Sequence, residues 1–444
     1  MRLRSVLVCV VQCVSVWGAM AQVVAEDFLL FPGDGSEGDQ FGWSVAIDDR
    51  LIAVGSWHDA DNGANSGSVY LYDAITGSLR HKLLAEDGDS DDVFSVSLDL
   101  RFGLVAVGAR DNDDSGSNSG SAYLFDALSG VQLHKLLAED ATAGDRFGRS
   151  VAIGDGVVCV GSPLDDVVGA DSGSVYVFDA TSGAQIRKII PDDASAGDRF
   201  GFAISIDENG MLAACAYHDD LHGGNSGSVY LFDVTSGEQV MKIAPDDGQA
   251  DDQFGRTVSI DGGLLAVGAD SDDLGLNSGS VYVFDAKTGA QLHKLLAFDG
   301  AATDAFGGWV RLDRGLLGVG AAFHSDGVFG TGAAYVYEAQ SGVLRDRLVQ
   351  SDAGLGSFLG SSIDLSGGEI VVGALGADGS GVAAVYGVGC QADFNRDFSL
   401  DFLDVSAFIG AYNAGDPLAD LDGDGRYSFF DVSLYLRLYL MGCD

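Results

Sequence analysis

The sequence predicts an all-β protein, a closed seven-bladed β-propeller of four-stranded blades, followed by a small α-helical calcium-loop module. Three observations favour the propeller. One phrase recurs seven times, each copy alternates like four short strands, and a single extra strand precedes the first copy. The marker of each copy is a phenylalanine, and successive markers lie 52 to 54 residues apart. The seven markers are Phe41, Phe94, Phe147, Phe200, Phe254, Phe306 and Phe358.

The third copy shows the four strands most clearly. Residues 147–153 and 157–161 alternate around a Gly-Asp-Gly turn, which is typical of a β-hairpin. Residues 174–178 and 185–190 follow as a third and a fourth strand. Four antiparallel strands in a copy of this length make one propeller blade.

The two ends of the repeat array predict how the ring closes. The last copy stops after its third strand, residues 382–388, whereas residues 28–31 form a strand before the first copy. Leu30 precedes Phe41 by the same interval that separates Leu83 from Phe94. We therefore expect the segment of about residues 26–34 to complete blade 7, because an open ring would leave a bare sheet edge.

Composition restricts the class of protein and its partners. The chain has 444 residues, 47% of them hydrophobic, and 64 glycines, which excludes a disordered chain. It carries 66 acidic against 24 basic residues, a net charge of −42. So acidic a protein repels nucleic acid and anionic lipid, and it favours cations or cationic partners.

The first 21 residues have the order of a secretory signal peptide. Arg2 and Arg4 precede an apolar run over residues 5–17, and Ala19 and Ala21 supply the small residues of a cleavage site. The run is shorter than the roughly 20 residues of a membrane-spanning helix. We expect cleavage after Ala21 and a secreted or cell-surface protein with no membrane span.

The motifs at the blade hairpins resemble a known family. Phe147-Gly148, followed by Val-Gly-Ser-Pro at 160–163 and by Ala-Val-Gly-Ala at 266–269, is similar to the FG-GAP repeat of integrin α-chain propellers, in its bacterial branch. The resemblance covers residues 26–389 and implies a propeller domain over 22–389 with a binding or cell-adhesion role. Ser95, Cys215 and the Phe-Leu-Gly of 358–360 depart from the motif.

The acidic residues of the blades allow two interpretations. Integrin-like repeats often carry a calcium loop between the first two strands, but the turns here, such as Gly154-Asp155-Gly156, are too short for an ion that needs 6–8 oxygens. Acidic loops occur instead between the second and third strands, at 59–63, 111–114, 165–166, 219–220 and 270–273. They could bind cations or a ligand at one rim, or form solvated Asx turns, which their variable spacing favours.

No catalytic residues are predicted. His81, His134 and His293 share one slot in the fourth strand, so the ring keeps them apart. Nucleophile elbows, zinc-binding HExxH helices and phosphate-binding loops are absent from the sequence. Cys159 and Cys215 lie in apolar strands and are interpreted as buried thiols.

Two 12-residue acidic loops follow the repeats, over residues 393–404 and 420–431. Each places oxygen ligands at the spacing of a calcium loop. Loop 1 offers Asp393, Asn395, Asp397, Ser399, Asp401 and Asp404, and loop 2 offers Asp420, Asp422, Asp424, the carbonyl of Arg426, Ser428 and Asp431. Phe398 occupies the position in loop 1 where the sharp turn normally requires glycine, so loop 2 is the stronger candidate.

An amphipathic helix follows each loop, and the pair resembles a dockerin over residues 390–444. This resemblance implies bound Ca²⁺ and calcium-dependent docking to a protein partner, either cohesin-like or an envelope component. Cys390 and Cys443 bracket the module, and we expect them to form a disulfide in a secreted chain.

These features together predict a secreted or surface-docked binding protein. Its propeller would recognise a protein or glycan ligand at one rim, and its tail would dock to a partner. Two alternatives from other classes remain. One is a polysaccharide-active enzyme, or an accessory subunit of a polysaccharide-degrading assembly, and the other is a structural envelope component.

Overall fold

The computed structural model describes residues 22–48, 50–272, 278–387, 402–414, 419 and 426–441. Its strands form seven sheets. The first strands of successive sheets contact one another in order, and the first strand of the last sheet contacts that of the first. The predicted seven-bladed propeller of four-stranded blades is therefore confirmed.

Each blade runs outward from the channel through strands in chain order. The innermost strands are β3 (Phe41–Asp48), β7 (Phe94–Arg101), β11 (Ser150–Gly154), β15 (Phe200–Ile206), β19 (Thr257–Asp261), β23 (Trp309–Asp313) and β27 (Leu359–Ser366). The second strands are β4 (Leu51–Ser56), β8 (Leu104–Ala109), β12 (Val157–Ser162), β16 (Met211–Ala216), β20 (Leu264–Ala269), β24 (Leu316–Ala321) and β28 (Glu369–Ala374).

The outer half of each blade is equally regular. The third strands are β5 (Ser68–Asp73), β9 (Ser121–Asp126), β13 (Ser174–Asp179), β17 (Ser228–Asp233), β21 (Ser280–Asp285), β25 (Ala333–Glu338) and β29 (Val382–Gly387). The outermost strands are β6 (Leu79–Leu83), β10 (Gln132–Leu136), β14 (Gln185–Ile189), β18 (Gln239–Ile243), β22 (Gln291–Leu295), β26 (Val343–Val349) and, for blade 7, β2 (Phe28–Leu30).

The hydrophobic core lies between neighbouring blades. Both faces of the middle strands are buried, as in β12 and β13, because each sheet is covered by the sheets before and after it. Phe147 packs edge-on against Tyr176 and Phe178 of the third strand, at ring-centroid distances of 5.4 and 5.8 Å. This contact explains why the repeat keeps its phenylalanine, since a buried aromatic trio contributes both area and edge-to-face geometry.

The seventh marker was predicted one residue too early. Leu359, not Phe358, pairs with the end of the second strand and is fully buried, as Phe94 is in blade 2. The register is fixed by Gly360, which has φ +92°, and whose added Cβ would lie 2.4 Å from the Ala333 carbonyl oxygen. In the sequence Phe-Leu-Gly the glycine therefore identifies the marker position.

Ring closure follows the prediction and adds an unpredicted strand. β2 pairs antiparallel with β29, so the N-terminal segment does complete blade 7. Just before it, β1 (Gln22–Ala25) pairs in parallel with β26 and makes blade 6 five-stranded. The short N-terminal segment therefore joins two neighbouring blades at their outer edges.

The C-terminal region contains α1 (Phe402–Ala414) and α2 (Phe429–Met441). The helices contact each other through Phe408 and Tyr435, whose rings stack at 4.1 Å, and Ala419 joins this small core. None of the helices described is long and apolar enough to cross a bilayer. Residues 1–21 of the predicted signal peptide lie outside the described residues.

Candidate functional site

Four of the loops between the second and third strands contain a buried aspartate that is already bound to a lysine of the chain itself. These aspartates are Asp59, Asp165, Asp219 and Asp272. Lys82 Nζ lies 2.8 Å from Asp34 Oδ2 and 3.0 Å from Asp59 Oδ2. Tyr70 donates a hydrogen bond to the same Asp59 oxygen. The hydrogen bond from Lys82 holds the pKa of Asp34 below its usual value. The corresponding cations are Lys135, Lys188, Lys242, Lys294 and, in blade 6, Arg347.

These clusters change the interpretation of the acidic loops. Asx turns are present, as when Leu221 donates its backbone N–H to Asp219 Oδ1, but Asp219 is buried rather than solvated. Within the described residues, no group of three or more His, Cys, Asp or Glu side chains is arranged to hold a metal ion. The loop carboxylates therefore stabilise the blades, with an ammonium or guanidinium group at the centre of each cluster.

The repeated histidines connect blades. Nε2 of His81, His134 and His293 lies 2.9 to 3.0 Å from a backbone carbonyl oxygen of the following blade. They stay apart around the outer surface, as their shared slot predicted. The buried thiols predicted at Cys159 and Cys215 are also confirmed; neither forms a disulfide, and burial raises the pKa of Cys159 to about 12.

An ion triad divides the central channel into two recesses. Arg311 reaches across from blade 6, with Nη2 2.9 Å from Asp99 Oδ1 and Nε 2.6 Å from Asp364 Oδ1. The side chains of both aspartates are at most 4% exposed. Arg311 lines the cavities on both sides, of about 110 and 250 Å³. The ion triad therefore lies between two recesses, one towards each mouth of the channel.

One mouth collects arginines in an otherwise acidic protein. Its walls carry five arginines together with Trp43, Phe202 and Tyr217, and they enclose a recess of about 300 Å³ beside the 250 Å³ cavity. We call this surface the arginine mouth. Its arginines are Arg110, Arg146, Arg149, Arg199 and Arg256.

Three slots of the repeat supply most of the mouth. The residue before each marker has φ of 54 to 56° in all seven blades, which is a left-handed conformation even at Val93. The fold, and not the residue type, therefore sets the backbone conformation at this position. The slot before the marker holds Gln40, Val93, Arg146, Arg199, Gln253, Ala305 and Phe358. The slot two residues after the marker holds Trp43, Val96, Arg149, Phe202, Arg256, Gly308 and Ser361. The slot after the second strand holds Trp57, Arg110, Pro163, Tyr217, Asp270, Ala322 and Leu375.

Two aromatic stacks flank the arginines. In blade 1, Trp57 stacks between Trp43 and His58, with centroid distances of 4.1 and 4.4 Å. In blade 4, the same slots hold Phe202, Tyr217 and His218, whose rings contact one another at 4.2 and 4.0 Å with planes tilted by 44° and 51°. The indole N–H groups already have hydrogen-bond acceptors within the protein, since Trp43 Nε1 donates to the Val96 carbonyl and Trp57 Nε1 donates to Gln40 Oε1.

The five guanidinium groups exceed the carboxylates that pair with them. Within 4 Å, Asp111 pairs with Arg110 and Arg146, Asp171 with Arg199, and Asp270 with Arg256, at 3.4 to 3.9 Å. Arg149 has no carboxylate or hydrogen-bond partner among the described residues, and its guanidinium carbon lies 4.0 Å from the centre of the Phe202 ring.

Arg149 occupies an unfavourable electrostatic environment. Burial and the neighbouring charges of Arg110 and Arg256 lower the pKa of Arg149. A guanidinium still stays protonated at neutral pH. The nearby His218 also has a lowered pKa, through burial and then Arg199 and Arg256, so it is neutral near pH 7. The mouth can therefore accept negative charge, and an anion there would relieve the repulsion between the arginines.

The remaining part of the rim is apolar. Phe323 of blade 6 contacts Phe358 edge-on at 5.6 Å, and Phe329 is 63% exposed beside it. These side chains border a shallow recess with Thr303 and Ala305. The rim is thus asymmetric, with cations and aromatic groups on blades 1 to 5, exposed phenylalanines on blade 6 and the half-buried Phe358 on blade 7.

The structure describes four of the predicted calcium ligands. Asp404 and Asp431 are fully buried in the first turns of α1 and α2, and Asp431 Oδ2 accepts a 2.6 Å hydrogen bond from the Ser428 backbone N–H. Arg426 precedes that turn. The other predicted ligands and both bracketing cysteines lie outside the described residues. They are Asp393, Asn395, Asp397, Ser399, Asp401, Asp420, Asp422 and Asp424, with Cys390 and Cys443.

The fold and its arginine mouth define a β-propeller scaffold suited to binding. The sequence profile of the FG-GAP repeat matches residues 17–72, 78–125, 131–178, 184–232, 238–284 and 290–337, which is more than half of the chain. The chain belongs to the FG-GAP repeat family. Blade 7 follows the last matched segment, and no curated protein matches the sequence.

Proposed function

We propose that the chain is a secreted or surface-docked binding protein that recognises its ligand at the arginine mouth. One observation carries this proposal: the seven repeats share the residues that build the blades and differ in those that face the mouth. The same slot holds Trp43, Arg149 and Gly308 in different blades. Within one repeat protein, variation at a concave surface is the pattern expected of a recognition site.

The chemistry of the arginine mouth favours binding over turnover. It offers cations and ring faces, which hold and orient a ligand. The neutral His218 is packed 4.0 Å from the Tyr217 ring, and the described carboxylates beside the mouth are paired with arginines. A candidate general base needs a free position beside the substrate. A polysaccharide-active enzyme remains the competing function, and the binding assay must detect it.

A screen with paired variants tests the proposal. The full secreted chain is titrated with protein, glycan and small-anion libraries, with parallel detection of new reducing ends or other products. We expect a ligand whose binding is weakened by both Trp43→Ala and Arg149→Gln but not by Arg80→Gln, an exposed arginine of the outer strand β6. Binding that is unchanged in both mouth variants refutes the site, and turnover lost in Arg149→Gln refutes the binding-only function.

The C-terminal region is proposed as a separate docking module. In this proposal residues 1–21 are the signal peptide, 22–389 the propeller and 390–444 a dockerin-like unit that docks in a calcium-dependent way. Asp404 and Asp431 support the proposal, because each is a fully buried carboxylate in the first turn of its helix, at the last ligand position of its loop. A cohesin-like or envelope protein would be the partner.

Calcium titration of the full chain tests the docking module. We expect calorimetry to detect Ca²⁺ binding that Asp424→Ala, in loop 2, weakens strongly, and a calcium-dependent rise in the melting temperature of the tail. Asp155→Ala, in a blade hairpin turn, is the matched control. Unchanged Ca²⁺ binding in Asp424→Ala, or no Ca²⁺ binding by the full chain, would remove the basis for calcium-dependent docking.

A further inference from the structure

The ligand class can be narrowed from the groups that the arginine mouth leaves unused, and this step rests on the proposed function. The first unused group is the guanidinium of Arg149, which has no anionic partner among the described residues. Arg110, Arg146 and Arg256 raise the positive potential around it. A planar guanidinium binds a carboxylate through two parallel hydrogen bonds, so a carboxylate is the ligand group that fits this position.

The second unused feature is the set of aromatic faces. The indole N–H groups of Trp43 and Trp57 already donate within the protein, and the Tyr217 hydroxyl accepts from Arg199 Nη1 at 2.7 Å. Trp57 lies between Trp43 and His58 and does not line the recess, so the ring surface that the recess offers comes from Trp43, Phe202 and Tyr217. Such surface packs against a flat apolar group, including the C–H face of a pyranose ring.

The third feature is a row of hydroxyl groups in the cavity wall below the arginines. Each donates its proton to a backbone carbonyl of the next blade, at 2.8 to 2.9 Å, so its oxygen is left only as an acceptor. These side chains are Ser44, Ser97, Ser150 and Thr257, and all four line the 250 Å³ cavity. Ser44 and Ser150 are buried, whereas Ser97 and Thr257 are half-buried and leave acceptors that match a ligand bringing O–H donors.

Size and charge restrict the ligand further. The cavity of about 250 Å³ and the adjoining recess of about 300 Å³ share Trp43, Arg149, Phe202 and Arg256, so together they have room for one or two sugar rings. The net charge of −42 repels dense polyanions over a Debye length of about 8 Å. A single carboxylate among neutral hydroxyl groups meets both conditions.

We infer that the arginine mouth binds a uronate residue of a glycan, with the sugar carboxylate on Arg149, the ring between the aromatic stacks and the hydroxyl groups on the serine and threonine acceptors. An acidic peptide provides the carboxylate but not the row of donors, and an aromatic acid provides the charge and the flat ring alone. The acceptor row therefore favours a sugar acid.

Matched sugars test this inference on the full chain. The probes are methyl glucuronide, methyl galacturonide and a tetrasaccharide of alternating glucuronate and N-acetylglucosamine, each compared with the neutral methyl glucoside or galactoside. Three of the four tryptophans, Trp43, Trp57 and Trp309, lie at this site, so intrinsic fluorescence reports binding directly. We expect at least one uronate to bind about ten- to a hundredfold more tightly than its neutral partner.

Two variants separate a binding role from a structural one. Arg149→Gln is expected to remove the same ten- to a hundredfold preference for the uronate while leaving the melting temperature unchanged or higher, because it removes an unpaired charge. Arg80→Gln makes the same charge change on the outer strand and should leave binding unchanged.

The outcomes distinguish this inference from the proposed function. If no uronate binds at millimolar concentration, or if neutral sugars bind equally well, the uronate assignment is wrong. If an acidic peptide binds the wild type but not Arg149→Gln, the mouth remains the recognition site for another ligand. If a uronate binds wild type and Arg149→Gln equally, it binds elsewhere, and both this inference and the proposed site are wrong.

Discussion

Replacing Arg311 with methionine should destabilise the propeller in a pH-dependent way. The substitution keeps an extended apolar side chain but removes the cation that pairs with both Asp99 and Asp364, whose side chains are only 4% and 3% exposed. Removing one member of a buried ion pair costs about 3–5 kcal/mol, because the remaining charge loses its compensation. In Arg311→Met two buried carboxylates lose their compensating positive charge together.

The structure also predicts the direction of the pH dependence. Burial raises the pKa of Asp364 to about 6, despite the attraction of Arg311. An aspartate in the unfolded chain titrates near 3.9, so the folded protein holds an extra proton between about pH 4 and 6. This contribution to stability is complete below about pH 4 and is lost as the pH rises through about 6. Without Arg311 the folded pKa rises further, so the variant loses more stability at neutral than at mildly acidic pH.

Calorimetry at about pH 7.5 and about pH 5 measures this difference. The unfolding entropy of the roughly 370 residues of the propeller is about 0.8 kcal/mol per kelvin, so a loss of about 4 kcal/mol lowers Tm by about 5 °C. We expect that shift at the higher pH and a clearly smaller one at the lower pH. Arg101→Met is the control, since the Nη1 of Arg101 donates to the Ile206 carbonyl, a neutral group. Equal shifts at both pH values, or a shift no larger than that of Arg101→Met, would refute the reasoning.

Three further predictions concern the blades. Lys242→Met and Lys294→Met remove equivalent cations from neighbouring clusters. Each should lower the free energy of unfolding, measured by denaturant titration, by about 1–3 kcal/mol. A loss of stability in only one of the two variants would contradict a shared role. Leu359→Ala should lower the free energy of unfolding by about 2–5 kcal/mol and Phe358→Ala by less, because Leu359 fills the marker position. A larger loss in Phe358→Ala would mean that Phe358 is the marker residue of blade 7. Deletion of residues 22–34 removes β1 and β2, and we expect a lower melting temperature and self-association in light scattering through the bare edges of blades 6 and 7; an unchanged monomer would contradict the closure.

The sequence was sufficient for the architecture because a repeat presents the same pattern several times. One blade with a Gly-Asp turn is ambiguous, but seven copies fix the strand count, the blade boundaries and the outer strand that the N-terminus must supply. The register error at Phe358 arose where two apolar residues precede the glycine. β1 was missed because a parallel pairing of four residues has no turn signal of its own.

The candidate site was harder to predict because its residues are far apart in the chain and meet only through the ring. Arg110, Arg149 and Arg256 come from different blades, and none belongs to a motif. The acidic loops are frequent in the sequence and were therefore one candidate for a binding site, but lysines of the outer strands compensate their charges within the protein. A comparison of the seven copies slot by slot would have shown arginines and aromatics concentrated in three slots, which is the signal that a motif search does not detect.

The N-terminal strands also impose an order of events on biosynthesis. Gln22 pairs with Asp346 and Leu30 with Ala383, so the first strands of the propeller to be synthesised wait for partners made more than 300 residues later. At about 5–20 residues per second, that wait is roughly 15 to 70 s. During it, an apolar strand without a partner is open to aggregation. The propeller can complete its ring only after its last blade has left the ribosome, which makes the nascent chain a candidate client for chaperones that hold unfolded proteins.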